Sequence, residues 1–319
     1  YLVHVESNLL MKIPSLLSEK NIGQKWVIIS QHRLMELFGF ELMSLLKENE
    51  INIDFITLPM GETAKSLNEY SRVISQMIEL GCDRSSTILA LGGGVVGDVS
   101  GFSAASFMRG IKYYQIPTSL LAMVDSSIGG KTGINTPEGK NLIGFIYQPQ
   151  GVLVDPTILN FLSKEEVQSG LGEVIKYGAI RDKSFFNDIS EWLDDIESFP
   201  FEKAIYRACE IKAEIVSLDE QEGGLRRLLN FGHTIGHALE ANLGYGKIRH
   251  GEAIALGMKC SGWISEQLNF MSKGENQFLN QTIDRVQNYP LQNFQGLRQI
   301  HLRTKNNRRF CPLCRRNPT

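Results

Sequence analysis

Strand and helix patterns alternate through the first half of the chain, and this alternation restricts the fold more than any other feature. Amphipathic helical patterns over Leu34–Asn49 and Ser66–Leu80 separate apolar runs that are typical of buried strands. The apolar runs are Lys25–Ser30, Ile51–Leu58, Thr87–Leu91 and Tyr113–Ile116. Because parallel strands need crossover connections of this length, the pattern predicts a mostly parallel sheet with helices on both faces.

Only helical patterns follow this region. They cover Glu165–Ile180, Phe201–Asp219, Leu228–Asn242 and Glu252–Leu268. The sequence therefore predicts an α/β domain over residues 1–154 and an all-α domain over residues 155–292.

The segment 293–319 differs from the rest of the chain in its charge. The whole chain has 33 Lys and Arg residues against 35 Asp and Glu residues. From residue 285 onward there is no acidic residue, and the basic residues are Arg285, Arg298, Arg303, Lys305, Arg308, Arg309, Arg315 and Arg316. A basic tail can bind nucleic acid, but this one lacks helical periodicity and interleaved aromatic residues. We interpret it as an atypical tail and expect no nucleic-acid partner.

The number of cysteines and the length of the apolar runs indicate the cellular compartment of the protein. Five scattered cysteines are typical of a reducing compartment rather than of a secreted disulfide framework. The pair Cys311 and Cys314 has no second pair, so it predicts neither a complete zinc site nor a redox motif. No apolar run approaches the roughly 20 residues that a membrane span needs. We expect a cytoplasmic protein, or an organellar one if a targeting segment precedes Tyr1.

A glycine-rich turn follows the third predicted strand. Gly92, Gly94 and Gly97 form the pattern G-x-G-x-x-G directly after that strand. Glycines let the backbone approach a pyrophosphate, and the N-terminus of the next helix attracts the anion. The pattern favours nucleotide binding, with an ordinary tight turn as the alternative.

A polar, glycine-rich stretch follows the strand at Tyr113–Ile116. It carries Asp125, Lys131, Lys140 and Asn141. Two lysines and an amide suit a multiply charged anionic ligand, whereas the simpler interpretation is a solvated loop.

Histidines concentrate in the helical half. His233 and His237 lie four residues apart on one helix face, with His250 following them and Glu173 preceding them. Imidazoles with a carboxylate are typical ligands of a catalytic zinc, although helix-surface histidines also make ordinary hydrogen bonds. We favour a metal site. Spacing alone suggests His233 and His237 as the pair and does not select the third ligand.

Taken in order, these motifs resemble the 3-dehydroquinate synthase family of sugar-phosphate cyclases from about residue 52 to 289. The matching segments are Gly61–Ser66, Gly92–Asp98, Met108–Gly110, Pro117–Lys131, Gly139–Gly144, Glu173–Lys176, Leu225–His237 and His250–Glu252.

The resemblance implies a Rossmann-like NAD-binding α/β domain, an all-α metal-binding domain and a site between them. It also implies conversion of 3-deoxy-D-arabino-heptulosonate 7-phosphate, a phosphorylated sugar acid, to 3-dehydroquinate and phosphate in the shikimate pathway. NAD and one divalent metal, zinc or cobalt, would be the cofactors, and the protein would be a homodimer.

The resemblance also assigns residues to the site. Glu173, His233 and His250 would be the metal ligands, which places His237 on the substrate side. Residues expected at the phosphate are Lys131, Asn141, Asn230, His237 and Arg109, the last from a second subunit. Residues expected at the carboxylate and hydroxyls are Arg226, Lys212, Lys176 and Asp125. Residues expected at NAD are Glu62, Lys65, Gly94, Val95, Val96, Gly97, Asp98, Thr118, Ser119, Lys131, Lys140 and Phe161.

Three departures from the family pattern affect these expectations. Just after its first strand the family usually has an Asp for the adenosine ribose, whereas here Ser30 is followed by Gln31 and His32, which predicts weaker cofactor binding. Phe161 stands at a usually polar position near the cofactor. The tail lacks the family's substrate-binding lysine, and we do not expect Lys305 to replace it.

Two other enzyme functions remain as alternatives. Another sugar-phosphate cyclase would share the motifs, but Arg226 favours an acid substrate. A metal-dependent polyol dehydrogenase would have a similar architecture, but Lys131, Lys140 and Asn141 favour a phosphorylated one.

Overall fold

The computed structural model describes residues 1–18, 24–220, 223–243 and 247–286. The chain divides into two compact units. The first contains Tyr1–Val167 and Phe201–Ala213, and the second contains Gln168–Pro200 and the chain from Glu214 onward. The basic tail 293–319 lies outside the described residues, as do Cys311 and Cys314, so the interpretation of both stays a prediction. Among the described helices, none is long and apolar enough to cross a bilayer.

Among the described residues, the first unit contains eight strands. They are β1 Leu2–Val5, β2 Lys25–Gln31, β3 Asn52–Leu58, β4 Thr87–Gly92, β5 Lys112–Pro117, β6 Lys131–Thr136, β7 Gly139–Ile146 and β8 Gly151–Val154. Six of them form one sheet in the order β1-β8-β5-β4-β2-β3. All its pairings are parallel; for example, Ile28 of β2 lies opposite Phe55 of β3 and Leu89 of β4. The predicted parallel sheet is confirmed.

Helices cover this sheet. The helices of the first part of the chain are α1 Ile13–Ser18, α2 His32–Leu34, α3 Phe40–Glu48, α4 Leu67–Glu79 and α5 Gly94–Ser106, with a π-helical segment Met35–Gly39 between α2 and α3. The central strand β4 is buried along its whole length, which explains its continuous apolar run. Ser66 caps α4 by accepting a hydrogen bond from the backbone N–H of Glu69, which agrees with the predicted helix start.

The remaining two strands form an antiparallel hairpin that the sequence analysis did not predict. In sequence, β6 and β7 show only a polar, glycine-rich pattern. Glycines interrupt both strands because the backbones approach closely; a Cβ on Gly144 would lie 2.2 Å from the carbonyl oxygen of Thr132. The usual alternation of strand side chains is therefore weak in this segment.

The later part of the chain is helical. Its helices are α6 Lys164–Arg181, α7 Lys183–Trp192, α8 Phe201–Leu218, α9 His233–Leu243, α10 His250–Gln267 and α11 Lys273–Val286. In the described residues no strand follows Val154. The predicted combination of a Rossmann-like α/β region and an all-α region is confirmed.

One predicted helix begins at the wrong place. The pattern from Leu228 predicted a continuous helix, but residues Leu225–Asn230 form a 3₁₀ turn and α9 starts at His233. Gly232 separates them with φ of +79°, and a Cβ there would lie 2.7 Å from the carbonyl oxygen of Ile254 on α10. Close packing of α9 on α10 therefore sets the break, and the break places His233 at a helix N-terminus.

Candidate active site

The glycine-rich turn lies at the carboxyl ends of two neighbouring strands. Gly92 ends β4 opposite Pro117 of β5, and α5 begins at Gly94. The predicted cofactor residues Gly94, Val95, Val96, Gly97 and Asp98 are the first residues of this helix. Its first turn carries no acidic side chain, so its free N–H groups can receive an anion without like-charge repulsion.

Glycine is required in this turn for packing as well. A Cβ on Gly97 would lie 2.6 Å from Oε1 of Gln115, and one on Gly94 would lie 3.0 Å from Oγ of Ser126. Thr118 is buried, and its N–H donates to the carbonyl oxygen of Gly92 at 3.1 Å. Ser119 lies beside it, near Gly93. The residues at this sheet edge thus fit a dinucleotide pyrophosphate.

Lys65 joins three separate segments of the first unit. Its side chain is buried, and Nζ donates to Oδ2 of Asp98 and to Oδ1 of Asn141, each at 2.5 Å. Burial raises the pKa of the Asp98 carboxyl, and the ammonium of Lys65 offsets part of that rise. Lys65 therefore links Asp98, another predicted cofactor residue, to Asn141, which is predicted at the phosphate.

The two predicted lysines of the hairpin are more accessible. Lys131 begins β6 and is exposed. Lys140 is on β7, and its Nζ lies 3.9 Å from Oε1 of Glu62, another predicted cofactor residue. These cations are positioned on strands rather than in the loop that the alternative interpretation assumed.

The buried Lys212 and the half-buried Asp125 form an ion pair within the first unit. Lys212 on α8 donates from Nζ to Oδ1 of Asp125 at 2.6 Å and also to the Asp125 carbonyl oxygen. Cys209, one turn earlier, donates from its thiol to the carbonyl oxygen of Met123. The structure therefore brings together two predicted substrate residues that are 87 positions apart.

The second unit collects a carboxylate and three imidazoles. Oε1 of Glu173, on α6, lies 3.5 Å from Nε2 of His233 and 3.7 Å from Nε2 of His250. One ligand atom from each of His233, His237 and His250 lies within 4.8 Å of the others. The His237 ring centroid is 5.3 Å from that of His233 and 5.7 Å from that of His250.

Both histidines that face Glu173 are held through their other ring nitrogen. Nδ1 of His233 lies 3.2 Å from the carbonyl oxygen of Phe231, and Nδ1 of His250 lies 3.4 Å from Oε2 of Glu240. An acceptor at Nδ1 keeps the proton there and leaves Nε2 with a lone pair, as a metal ligand requires. This arrangement is typical of metal sites.

Glu173 itself fits a metal ligand. Its side chain is fully buried, and among the described residues neither oxygen accepts a hydrogen bond of normal geometry, although Oε2 forms an ion pair with Lys176. Lys176 is equally buried, with Nζ 4.9 Å from the ring centroid of Tyr177. Burying a carboxylate is costly unless a cation compensates it, and a divalent ion would add to the compensation by Lys176.

Glycines allow the helices of this site to approach. A Cβ on Gly172 would lie 3.1 Å from the carbonyl oxygen of Gly251, and one on Gly251 would lie 2.0 Å from that of Ser169. The Gly251 N–H also donates to Oγ of Ser169 at 3.1 Å. Close contact of α6 with the start of α10 therefore places Glu173 beside His250.

Arg226 is a buried arginine held by its own loop. Its Nη1 donates to the carbonyl oxygen of Glu220 at 2.7 Å, and its backbone N–H donates to Oδ2 of Asp219 at 2.9 Å. Asp219 also accepts from the N–H groups of Gly223 and Gly224, and these donors hold the pKa of its carboxyl below its usual value. Asn230, predicted at the phosphate, ends the same 3₁₀ turn.

Two family models match this chain in succession. The 3-dehydroquinate synthase N-terminal model covers residues 55–169, and the C-terminal model covers residues 170–306. The chain belongs to the 3-dehydroquinate synthase family. The predicted family resemblance is confirmed.

Individual members of the 3-dehydroquinate synthase family are close in sequence. The 3-dehydroquinate synthase of Rippkaea orientalis is 44% identical over 291 residues, which cover 90% of this chain and 80% of that protein. The 3-dehydroquinate synthase of Prochlorococcus marinus subsp. pastoris is 46% identical over 258 residues, covering 79% of this chain and 71% of that protein.

Solved structures with a similar fold include two synthases. A 2-deoxy-scyllo-inosose synthase complexed with carbaglucose-6-phosphate, NAD⁺ and Co²⁺ is 28% identical, with a TM-score of 0.82 over 91% of this chain and 80% of that one. A 2-epi-5-epi-valiolone synthase from Streptomyces hygroscopicus with NAD⁺ and Zn²⁺ is 26% identical, with a TM-score of 0.79 over 90% of this chain and 80% of that one. A glycerol dehydrogenase from Schizosaccharomyces pombe, at 16% identity and a TM-score of 0.66, shares the fold alone.

Some predicted residues of this family member stand apart from these clusters. Arg109 is exposed, with φ of +67°, in a turn before β5. Phe161 is 56% exposed and packs edge-on against Phe38, with ring centroids 5.1 Å apart. Gln31, directly after Ser30, donates to the carbonyl oxygen of Pro59 at 3.4 Å. The roles of these residues stay predictions.

Sequence reasoning missed three residues that support the clusters. They are Glu240 beside His250, Asp219 under Arg226, and Asn135 beside Asn141. Glu240 follows His233 and His237 on the same face of α9, so helical spacing could have indicated it. No comparable spacing in the sequence indicates Asp219 or Asn135.

Proposed function

We propose that this protein is a 3-dehydroquinate synthase, a phosphate-eliminating carbon–oxygen lyase. It converts 3-deoxy-D-arabino-heptulosonate 7-phosphate to 3-dehydroquinate and phosphate in a cytoplasmic shikimate pathway. The observation that carries the proposal is the position of Glu173 against the Nε2 atoms of two histidines whose Nδ1 atoms are already held. The reaction itself is inferred from membership of the 3-dehydroquinate synthase family.

Glu173, His233 and His250 would hold the divalent metal, zinc or cobalt. Bound there, the ion supplies Lewis acidity, which makes a ring alcohol more acidic and polarises a ketone. His237 lies beside the ligand set, where it can contact substrate; the solved synthases with Zn²⁺ or Co²⁺ support this use of the site.

The first unit would bind NAD. When bound, NAD supplies a hydride acceptor that is regenerated within the turnover. The N-terminus of α5 receives the pyrophosphate, and Thr118 and Ser119 line the neighbouring strand end. Residues proposed to contact the cofactor are Glu62, Lys65, Gly94, Val95, Val96, Gly97, Asp98, Thr118, Ser119, Lys131, Lys140 and Phe161.

The proposed substrate-binding residues provide cations for both acidic groups of the substrate, the carboxylate and the phosphate. Arg226 is proposed to bind the carboxylate, because a guanidinium matches a planar carboxylate with two parallel hydrogen bonds. Lys212, Lys176 and Asp125 are proposed to bind hydroxyls. The proposed phosphate contacts are Lys131, Asn141, Asn230, His237 and Arg109. The substrate phosphate can accept the proton that is removed during its own elimination, so no separate general base is needed.

We also propose a homodimer in which Arg109 completes the partner's site. Strand β7 is an edge strand of its hairpin, and it exposes Leu142, Ile143, Phe145 and Ile146. An exposed apolar edge strand is suited to an interface between protein chains. An Ile143→Asp variant that remained dimeric in sedimentation would contradict this interface.

Phosphate release from the heptulosonate phosphate tests the function. With NAD and zinc or cobalt present, we expect release without net NADH, and loss of release after chelation. Net NADH would instead indicate a polyol dehydrogenase. Preference for a sugar phosphate without a carboxylate would indicate a different cyclase.

A further inference from the structure

Asn135 lies at an irregular position of the hairpin. In the register of β6 with β7, Ile134 pairs with Ile143 and Thr136 pairs with Gly139, so Asn135 falls in the bulge between them. Its backbone N–H is therefore released from the ladder and donates to the carbonyl oxygen of Lys65 at 2.8 Å. The bulge connects the hairpin to the segment Gly61–Ser66.

The side-chain amide of Asn135 uses both of its ends. Oδ1 accepts from the backbone N–H of Asn141 at 3.0 Å, and Nδ2 donates to Oε2 of Glu62 at 2.8 Å. A backbone N–H can only donate and an ionised carboxylate can only accept, so the two partners fix the orientation of the amide.

These contacts close a ring of three hydrogen bonds. Lys65 accepts from Asn135, Asn135 accepts from Asn141, and the side chain of Asn141 accepts from Nζ of Lys65 at 2.5 Å. Asn141 has φ of +56°, a left-handed conformation that asparagine adopts at some cost. The bond from its N–H to Asn135 helps to hold this conformation.

From this geometry we infer that Asn135 is a positioning residue, which holds Asn141 for the substrate phosphate and Glu62 and Lys65 for NAD. The inference rests on the proposed function for the roles of those three residues. Asn135 acts through them and needs no contact with either ligand.

The Asn135→Asp substitution tests the inference because it keeps the shape of the side chain. Oδ1 can still accept from Asn141, but the second oxygen now faces the carboxylate of Glu62 and repels it. We expect the KM for NAD and for the sugar phosphate to rise roughly fivefold, with kcat changed less, since one exposed hydrogen bond is lost. Asn68→Asp, on the exposed surface of α4, adds the same charge and should leave both KM values unchanged.

The Glu62→Gln background provides the second arm of the experiment. The amide that this substitution introduces can donate to the new carboxylate at position 135, so the same Asn135→Asp change should raise neither KM further in that background. Asn135→Ala removes the side-chain amide without adding charge, so it should raise both KM values in either background. This variant replaces Asn135→Asp in the test if the Asp variant has a lowered Tm.

The outcomes separate the inference from the function. If the unsubstituted protein releases no phosphate, the proposed function falls and this inference falls with it. If it does release phosphate but Asn135→Asp behaves like Asn68→Asp, the inference alone is overturned. Equal KM increases on Asn135→Asp with and without the Glu62→Gln substitution would also overturn it, because the new carboxylate would then not act through residue 62.

Discussion

Oε2 of Glu240 lies 3.4 Å from Nδ1 of His250. The opposite ring nitrogen of His250 faces Glu173, so one imidazole connects two carboxylates that have different tasks. Glu240 orients the ring, whereas Glu173 is a proposed ligand of the same metal as His250.

Replacing Glu240 should weaken metal binding without abolishing it. A carboxylate behind a ligating histidine typically contributes 10- to 100-fold to metal affinity. We expect Glu240→Gln to bind zinc roughly tenfold more weakly, as measured by competition with a chromogenic chelator. Glu191→Gln on the exposed surface of α7 removes the same charge and should leave the affinity unchanged. Unaltered affinity in Glu240→Gln would show that it does not orient His250.

His250→Ala and His237→Ala should have different effects on metal content. Loss of His250 removes a proposed ligand, so the purified variant should contain little metal and release no phosphate. Loss of His237 should leave the metal in place while lowering phosphate release. Elemental analysis of both variants, with circular dichroism to verify folding, distinguishes them. Metal loss in His237→Ala with retention in His250→Ala would reverse the ligand assignment.

Arg226→Ala should impair catalysis far more than NAD binding. Removing the cation that pairs with a buried carboxylate costs about 2–5 kcal/mol, so kcat/KM for the sugar acid should fall at least roughly 30-fold. Calorimetric titration with NAD should give an unchanged Kd. Arg227, the exposed neighbour in the same turn, supplies the control Arg227→Ala. A similar loss in both variants would argue against a carboxylate site at Arg226.

Asp219 should make stability depend on pH in the acid range. Its backbone donors lower its pKa in the folded state, so its stabilising effect is present above the unfolded pKa of about 3.8. That effect is lost as the pH falls through the lower, folded pKa. The Tm of Asp219→Asn should therefore be below that of the unsubstituted protein at pH 6, and the difference should shrink below pH 4. A difference independent of pH would contradict the role of the carboxylate charge.

The sequence by itself determined the local structure and the chemical types at the site. Continuous apolar runs specified the buried strands, and the glycine pattern after Thr87–Leu91 specified a turn at a helix N-terminus. Both signals depend only on residues that are neighbours in the chain, so they can be recognised without knowledge of the fold. The order of the motifs along the chain was also sufficient to identify the family.

Tertiary structure decided which of these residues meet. Lys212 reaches Asp125, and Glu173 faces His233 and His250, across separations that no periodicity records. Asn135 acquires its partners only because a bulge redirects its N–H out of the hairpin. Such contacts depend on how helices and strands pack, and packing is set by close approaches such as Gly172 to Gly251. Local pattern fixed the elements and the residue types, whereas long-range packing fixed the geometry of the site.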